Sequence, residues 1–419
     1  MNEVKLNQRD IYKLVQNLTS GKFTSEIELL QSLVRDIVEH HGFEIIGGRV
    51  WELNPATEAY VLRYQYGSVE KIPDDYTIPV SEQPLFAKLH KQKTYITYET
   101  DKMLLAKGIE FYSATGVGDL LKLNSGYYYK YALGFNAPQI LQTFFETLTI
   151  ISSVASIAIS DLHTKFEHQK FQHDLKLASE IQRDLLPEHF LEFHDYKIFG
   201  VCIPDNAIGG DYFDYLKSPD LEDERLGVVI GDAASKGLPA AIQALFVTGA
   251  MRMGISFSTK MSPLLSRLNT LIFDTFLFAR FVTLFYCELT LSSNRLVLYA
   301  NAGHCAPIHY SPSNDKIQFL DSTAGLLGIM QKQKIGIENI TMKPGDILLL
   351  YTDGITEARD FSENFYGDER LCEILKQNKS ETPKDIAYKI LEDVNQFSAG
   401  GSYTDDKTLV VIKRDVEVD

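Results

Sequence analysis

Apolar and polar positions divide the chain into three stretches with different periods. Up to about residue 135, a helical pattern, "EIELLQSLVRDIVEHHG", is followed by strand patterns. Two strand-like runs flank an Asn-Pro turn in "GRVWELNPATEAYVLRYQYG". In "GYYYKYALGF" the alternation predicts Tyr127, Tyr129, Tyr131 and Leu133 on one strand face. Together these runs predict an α+β domain. From about 137 to 186 the period becomes helical, with no glycine and no proline after Pro138. Ile150, Val154, Ile157, Leu162, Phe166, Phe171, Leu175, Ala178, Ile181 and Leu185 recur mostly at steps of three and four. A stripe this narrow packs on its own domain or forms a coiled-coil seam between two chains. At about 1.5 Å per residue such a helix reaches on the order of 70 Å. One globular domain can hardly cover that length, which favours a homodimer seam. Pro187 pushes Leu186 out of the α region and ends the helix.

Residues 190–419 alternate strands with two clear helix patterns, "LPAAIQALFVTGAMRMG" and "TPKDIAYKILEDVNQF". The second carries Thr382 as N-cap and Pro383 at its first helical position. "RFVTLFYCELTLSSNRLVLYANAGH" reads as a hairpin turning at Ser292–Asn294. "LGVVIGDAA" and "DILLLYTDG" are apolar strands that end in Gly-Asp or Asp-Gly.

Composition narrows the function classes. The 419 residues are 45% hydrophobic and 23% charged, enough for buried cores. The net charge of −15 repels nucleic acid and anionic membranes, and the basic residues form no compensating patch. Cys202, Cys287, Cys305 and Cys372 form no CxxC pair, and the N-terminus is polar. Both readings favour a cytoplasmic protein with reduced thiols. The most membrane-like run, residues 147–160, is bounded by Glu146 and Asp161 and is shorter than the roughly 20 residues of a span.

The candidate chemistry lies in aspartates at strand ends: Asp211 in "IPDNAIGGDYFDY", Asp232, Asp353 and Asp405. Gly209 and Gly210 offer nothing to a core, so the backbone before Asp211 turns sharply or approaches something closely. Each motif alone is an ordinary turn. Four converging carboxylates, however, suit hard divalent cations such as Mg²⁺ or Mn²⁺, which would offset their mutual repulsion.

The ordered series "LASEIQRDLLP", "IGGDYFDY", "VIGDAASKGLPAA", "VTLFY", "YANAGHCAP", "PGDILLLYTDGITEARD", "FYGDERL" and "DDKTLVVI" spans about residues 178–413. It resembles the metal-dependent serine/threonine protein phosphatases of the PPM type, in the branch of stage II sporulation protein E and the sigma-factor regulators. The resemblance implies an α-β-β-α sandwich holding two Mn²⁺ or Mg²⁺ ions. It implies Asp211, Asp232, Asp353 and Asp405 as ligands and catalytic carboxylates, with the Ala233 carbonyl where a glycine carbonyl usually binds. Asp406 is the alternative to Asp405. Asp214 is either a second layer around the ions, a weaker third site or a solvated turn acid. The implied reaction is hydrolysis of phosphoserine or phosphothreonine by a metal-bridged hydroxide on a STAS-type anti-sigma antagonist. The general acid is unassigned. His304 reads as structural, His189 and His194 as surface residues, and Lys236 as an exposed loop lysine. Ser235 stands where the family has glycine, which predicts a reshaped loop.

The first region resembles a GAF domain by order of elements, with a small molecule or a protein as its signal. The domain reading is 1–160 GAF-like sensor, 161–188 linker helix and 189–419 phosphatase. The competing reading is a dimeric signalling scaffold with little or no turnover. A nucleotide phosphodiesterase is disfavoured because no HD-type or HExxH spacing occurs.

Overall fold

The computed structural model describes residues 8–20, 22–40, 43–107, 109–137, 142–217, 225–257, 260–276, 281–290, 296–401 and 405–415. Its contacts divide the chain into two compact units, Met1–Phe171 and Gln172–Asp419.

The first unit contains α1 (Gln8–Leu18), α2 (Glu26–Glu39), β1 (Gly47–Asn54), β2 (Ala59–Gly67), β3 (Thr77–Pro79), α3 (Pro84–Lys88), β4 (Thr94–Tyr98), α4 (Lys102–Ala106), β5 (Phe111–Leu123) and β6 (Gly126–Asn136). α2 starts at Ser25, whose side chain accepts the Glu28 N–H, a cap worth about 1 kcal/mol. Its Leu29, Leu30, Leu33, Val34 and Ile37 then recur at helical spacing and are buried. Between β1 and β2, Asn54 accepts the Ala56 N–H and closes the Asn-Pro turn. The antiparallel sheet has the order β3-β2-β1-β6-β5-β4. One core joins α1, α2, Val50, Leu133 and Phe135 to the long helix α5 (Gln142–Leu185). A second gathers Trp51, Tyr60, Phe86, Leu104 and Ile109. Tyr131 and Leu133 enter the first core. Tyr127 is exposed and Tyr129 packs with the second core, so the predicted common face breaks up. β5, which pairs with β6, shifts register between Val117 and Leu120.

On α5 the core covers a different face from the predicted stripe. The face buried in the first unit is Phe144, Leu148, Ile151, Ala155, Ala158, Ile159 and Leu162, so of the predicted stripe only Leu162 is fully buried there. Ile150, Ile157, Phe171, Ile181 and Leu185 are exposed. The apolar run 147–160 packs into the first core through Leu148, Ile151, Ala155, Ala158 and Ile159. By length and composition, Phe144–Leu185 passes as a membrane-crossing helix, with mean hydropathy 1.4 over its best 18 residues. Glu146 and Asp161 are too few charges to break that window.

The second unit contains β7 (Phe190–Phe193), β8 (Tyr196–Ile203), β9 (Tyr212–Lys217), β10 (Arg225–Ala233), α6 (Leu238–Ile255), α7 (Met261–Thr275), β11 (Val282–Thr290), β12 (Leu296–Ala302), β13 (Ile308–Ser311), β14 (Lys316–Phe319), β15 (Glu338–Thr341), β16 (Ile347–Tyr351), α8 (Asp353–Thr356), α9 (Gly367–Gln377), α10 (Pro383–Phe397) and β17 (Lys407–Arg414). β11 and β12 form the expected antiparallel pair; the turn at Ser292–Asn294 lies outside the described residues. α7 and α9 are helices beyond the two the periodicity singled out.

One sheet runs β15-β12-β11-β10-β9, the other β14-β13-β16-β17-β8-β7. Val228, Ile230 and Phe285 of the first meet Ile198, Leu350 and Val410 of the second in a shared core. α6 and α7 cover the outer face of the first sheet, α9 and α10 that of the second. This is an α-β-β-α sandwich. α6 also passes as a membrane-crossing helix by length and composition, yet its Ala244, Val247, Met251 and Ile255 are buried against the sheet and α7.

Candidate active site

The predicted carboxylates sit at one end of the sandwich, where strands of both sheets run out. β9 and β10 pair with Tyr212 opposite Gly231. The Ala233 N–H donates to the Gly210 carbonyl at 3.3 Å, which brings Asp211 beside Asp232. β16 ends at Tyr351 and Asp353 opens α8. Asp405 and Asp406 immediately precede β17, the neighbour of β16.

The glycines act through close approach. Neither Gly209 nor Gly210 has a positive φ. A Cβ on Gly209 would lie 2.4 Å from Asp406 Oδ2. One on Gly210 would lie 2.9 Å from the Ala240 Cβ and 3.2 Å from the Ala233 carbonyl oxygen. Any side chain here would push apart the loops that carry Asp211 and Asp232.

Electrostatics shows that the acids face one another. Asp232 is pushed up to about 7 by burial and by the charges of Asp353, Asp405 and Asp406. Asp211 is raised well above the carboxylate range by burial and by Asp232. Burial, Glu357 and Asp405 raise Asp353. Neighbours restrain two of these carboxylates: Thr352 Oγ1 donates to Asp211 Oδ2 at 2.6 Å, and Lys236 Nζ lies 2.8 Å from Asp405 Oδ2. Among the described residues no three His, Cys, Asp or Glu side chains are set to grip one ion as they stand. Carboxylates that repel one another stay apart until a cation offsets the charge, so ligation would require small side-chain rotations. The donor set, all oxygen, fits hard divalent ions: Asp211, Asp232, Asp353, Asp405 and the Ala233 carbonyl could hold them.

Asp405 and Asp406 have separate surroundings. Asp406 accepts the N–H groups of Asp205 at 2.8 Å, Gly210 at 2.6 Å and Asp211 at 3.4 Å. It clamps the glycine loop, whereas Asp405 meets Lys236 and the Asp406 N–H.

Of the alternatives for Asp214, the solvated turn acid is excluded. Asp214 lies on β9, 2% exposed, and pairs with Arg252 of α6 through Nε–Oδ2 at 2.6 Å and Nη2–Oδ1 at 3.1 Å. Its strand buries it, and the guanidinium compensates its charge. Ser235, which resists a positive φ, does not adopt one; Gly237, two residues on, does, with φ 69°. Lys236 is exposed, as expected, but it also touches a candidate ligand. His304 is buried, its ring nitrogen Nδ1 lies 2.8 Å from Thr283 Oγ1, and burial holds it down at about 4, hence neutral. His189 and His194 are exposed.

Periodicity did not single out three groups. Thr352 orients Asp211 and also accepts the Thr408 N–H at 3.0 Å. Arg252 neutralises Asp214 and donates to the Leu185 carbonyl at 2.7 Å. Gln182 of α5 donates to the Gly209 carbonyl at 2.8 Å and accepts its N–H at 3.2 Å. Gln182 and Thr352 lay within motifs whose order carried information, "LASEIQRDLLP" and "PGDILLLYTDGITEARD"; Arg252 did not.

Residues 222–415 match the family described as Stage II sporulation protein E (SpoIIE). The second unit carries a SpoIIE-type PPM phosphatase domain. The chain is 24% identical over 249 residues to the phosphoserine phosphatase RsbU of Bacillus subtilis, a match spanning 59% of this chain and 72% of RsbU. It is 27% identical over 271 residues to protein IcfG of Synechocystis sp., spanning 58% of this chain and 41% of IcfG. The SiaA-PP2C domain of Pseudomonas aeruginosa superposes with a TM-score of 0.51 at 18% identity, covering 59% of this chain and 99% of that domain. That likeness supports the fold of the SpoIIE-type domain.

Proposed function

We propose that the chain is a regulated, metal-dependent protein phosphatase that hydrolyses phosphoserine or phosphothreonine, with a STAS-type anti-sigma antagonist as substrate. The observation that carries this reading is the cluster of mutually raised carboxylates, Asp211, Asp232, Asp353 and Asp405, inside a SpoIIE-type domain. The likeness to the phosphoserine phosphatase RsbU supports the substrate class. Asp211, Asp232, Asp353, Asp405 and the Ala233 carbonyl would hold two Mn²⁺ or Mg²⁺ ions. Such ions supply an activated water and offset negative charge on the phosphate oxygens. Thr352 holds Asp211 in orientation, and Asp406 fixes the loop that delivers it. Lys236 places a positive charge at the mouth of the cluster, where it can meet a phosphate.

The sensory reading belongs to the first unit. An antiparallel sheet with helices on one face and a cavity on the other supports a GAF-like domain over about 1–160. Residues 161–188 act as the linker and 189–419 as the phosphatase. Gln182 links the linker to catalysis, since it holds Gly209 two residues before Asp211. Exposed Ile150, Ile157, Phe171 and Leu185, at heptad spacing, support a homodimer seam along α5. The four unpaired thiols support a cytoplasmic location.

The test is hydrolysis of p-nitrophenyl phosphate and of a phosphoserine protein with Mn²⁺, beside Asp211→Asn and Asp353→Asn. Both variants should lose at least about a hundredfold in kcat/KM. Equal rates for all three proteins would remove the metal assignment, and no turnover by any of them would leave a scaffold.

A further inference from the structure

The cavity of the first unit holds two opposite charges that do not neutralise each other. Arg49 of β1 is 3% exposed, and its Nε is buried without a hydrogen-bond partner among the described residues. Nη1 donates to Asn136 Oδ1 at 2.6 Å, and Nη2 reaches only the Glu70 carbonyl, at 3.4 Å. Burial lowers the guanidinium to about 10, and the Glu99 charge opposes that shift. Glu99, itself 8% exposed, lines the same cavity, yet no ion pair forms between the two. Its Oε1 accepts three donors: Gln83 Nε2 at 2.8 Å, Thr100 N–H at 2.7 Å and Asp101 N–H at 2.9 Å. Oε2 accepts none among the described residues. A buried guanidinium with an idle N–H is costly unless something meets it, and Glu99 keeps a second oxygen able to accept a donor.

Between them the walls are apolar: Trp51, Phe86, Leu104, Ile109 and Ala132. The open space is about 40 Å³. On that measure one water occupies roughly 10–15 Å³, so the cavity admits a small solute and no nucleotide.

We propose that this cavity binds a small aliphatic α-amino acid of about alanine's size, its carboxylate on Arg49 and Asn136 and its ammonium on Glu99. The Arg49 N–H groups present the planar donors a carboxylate requires. Glu99 Oε2 presents the acceptor an ammonium requires. The apolar walls take the methyl group and reject a polar side chain. This inference rests on the sensory reading of the first unit and is independent of the phosphatase chemistry.

The test is calorimetric titration and thermal-shift measurement of the full chain with L-alanine, propionate and ethylamine. L-Alanine should give saturable heat and a rise in Tm. Propionate, lacking the ammonium, should bind at least about tenfold more weakly, and ethylamine not at all. Arg49→Met should abolish the L-alanine response and raise the Tm of the unliganded chain, because an uncompensated buried charge is gone. Should Arg49→Met not fold, Glu99→Gln decides: it should weaken L-alanine about tenfold while leaving propionate unchanged. Absence of any L-alanine response overturns the proposal, as does propionate binding as tightly as L-alanine or a Glu99→Gln variant that binds both as before. A phosphatase that hydrolyses normally but ignores L-alanine refutes this inference alone.

Discussion

The two units bury charge in opposite ways. The second crowds like charges: Asp211, Asp232, Asp353 and Asp405 raise one another and hold few compensating cations. The first keeps one cation and one anion, Arg49 and Glu99, apart in an aromatic cavity. A cluster of one sign calls for an ion of the other sign, whereas separated opposite charges call for a solute that carries both. The location of the missing charge therefore distinguishes a metal site from an organic-ligand site, before any ligand is known.

The sharpest way to break the comparison is to unbalance a pair that is already complete. Asp214 and Arg252 form such a pair beside the acid cluster. Arg252→Leu should destabilise the chain by about 2–3 kcal/mol, less than a fully buried pair because Arg252 is partly exposed. Urea unfolding of the variant measures this, and Asp214→Asn in the same background should recover most of the loss. A recovery that fails would mean that Asp214 serves the ions rather than the fold.

Next in size, Thr352→Val removes the donor to Asp211 but keeps the shape. About 1–2 kcal/mol of stability should go, and Mn²⁺-dependent kcat should fall about tenfold with KM little changed. An unaltered kcat would show that Asp211 orients itself.

Protons sharpen the like-charge side. In the fold Asp232 stands at about 7, above its unfolded value near 3.9. Between those values the folded state holds a proton the unfolded chain has released. Stability of the metal-free protein should therefore fall as pH rises from about 5 to 8. Saturating Mn²⁺ should cancel that fall, because cations take over the charge compensation. Melting curves across this range with chelator and with Mn²⁺ test both halves.

The smallest effect concerns the link between helix and loop. Gln182→Ala should cost about 1 kcal/mol or less in stability. It should nonetheless change kcat several-fold, since the two hydrogen bonds it removes hold Gly209. An unaltered kcat would uncouple α5 from the site.

Much of the site was legible because its chemistry is local. Asp-Gly and Gly-Asp at the ends of apolar runs mark strand ends, and the order of the motifs pairs them. The glycine pair announced a close approach before the partner, Asp406, was known. Arg252 was not legible: a basic residue near the end of an apolar helix reads as solvated until β9 places Asp214 beneath it. The stripe on α5 left its partner open for a related reason. Periodicity reports which residues share a face, but not which face the core covers, and here the core took Phe144, Leu148 and Ile151.

By itself the sequence determined most element types and the candidate carboxylates at strand ends, because these follow from short-range spacing, capping and turn chemistry, while the sandwich came from the resemblance that the ordered motifs carry. Tertiary structure alone decided that Asp406 clamps while Asp405 stays beside the cluster, that Asp214 is paired, and that Arg49 and Glu99 face one cavity. Those are distances between residues tens to hundreds of positions apart, set by how the sheets stack and pair. No local pattern encodes them.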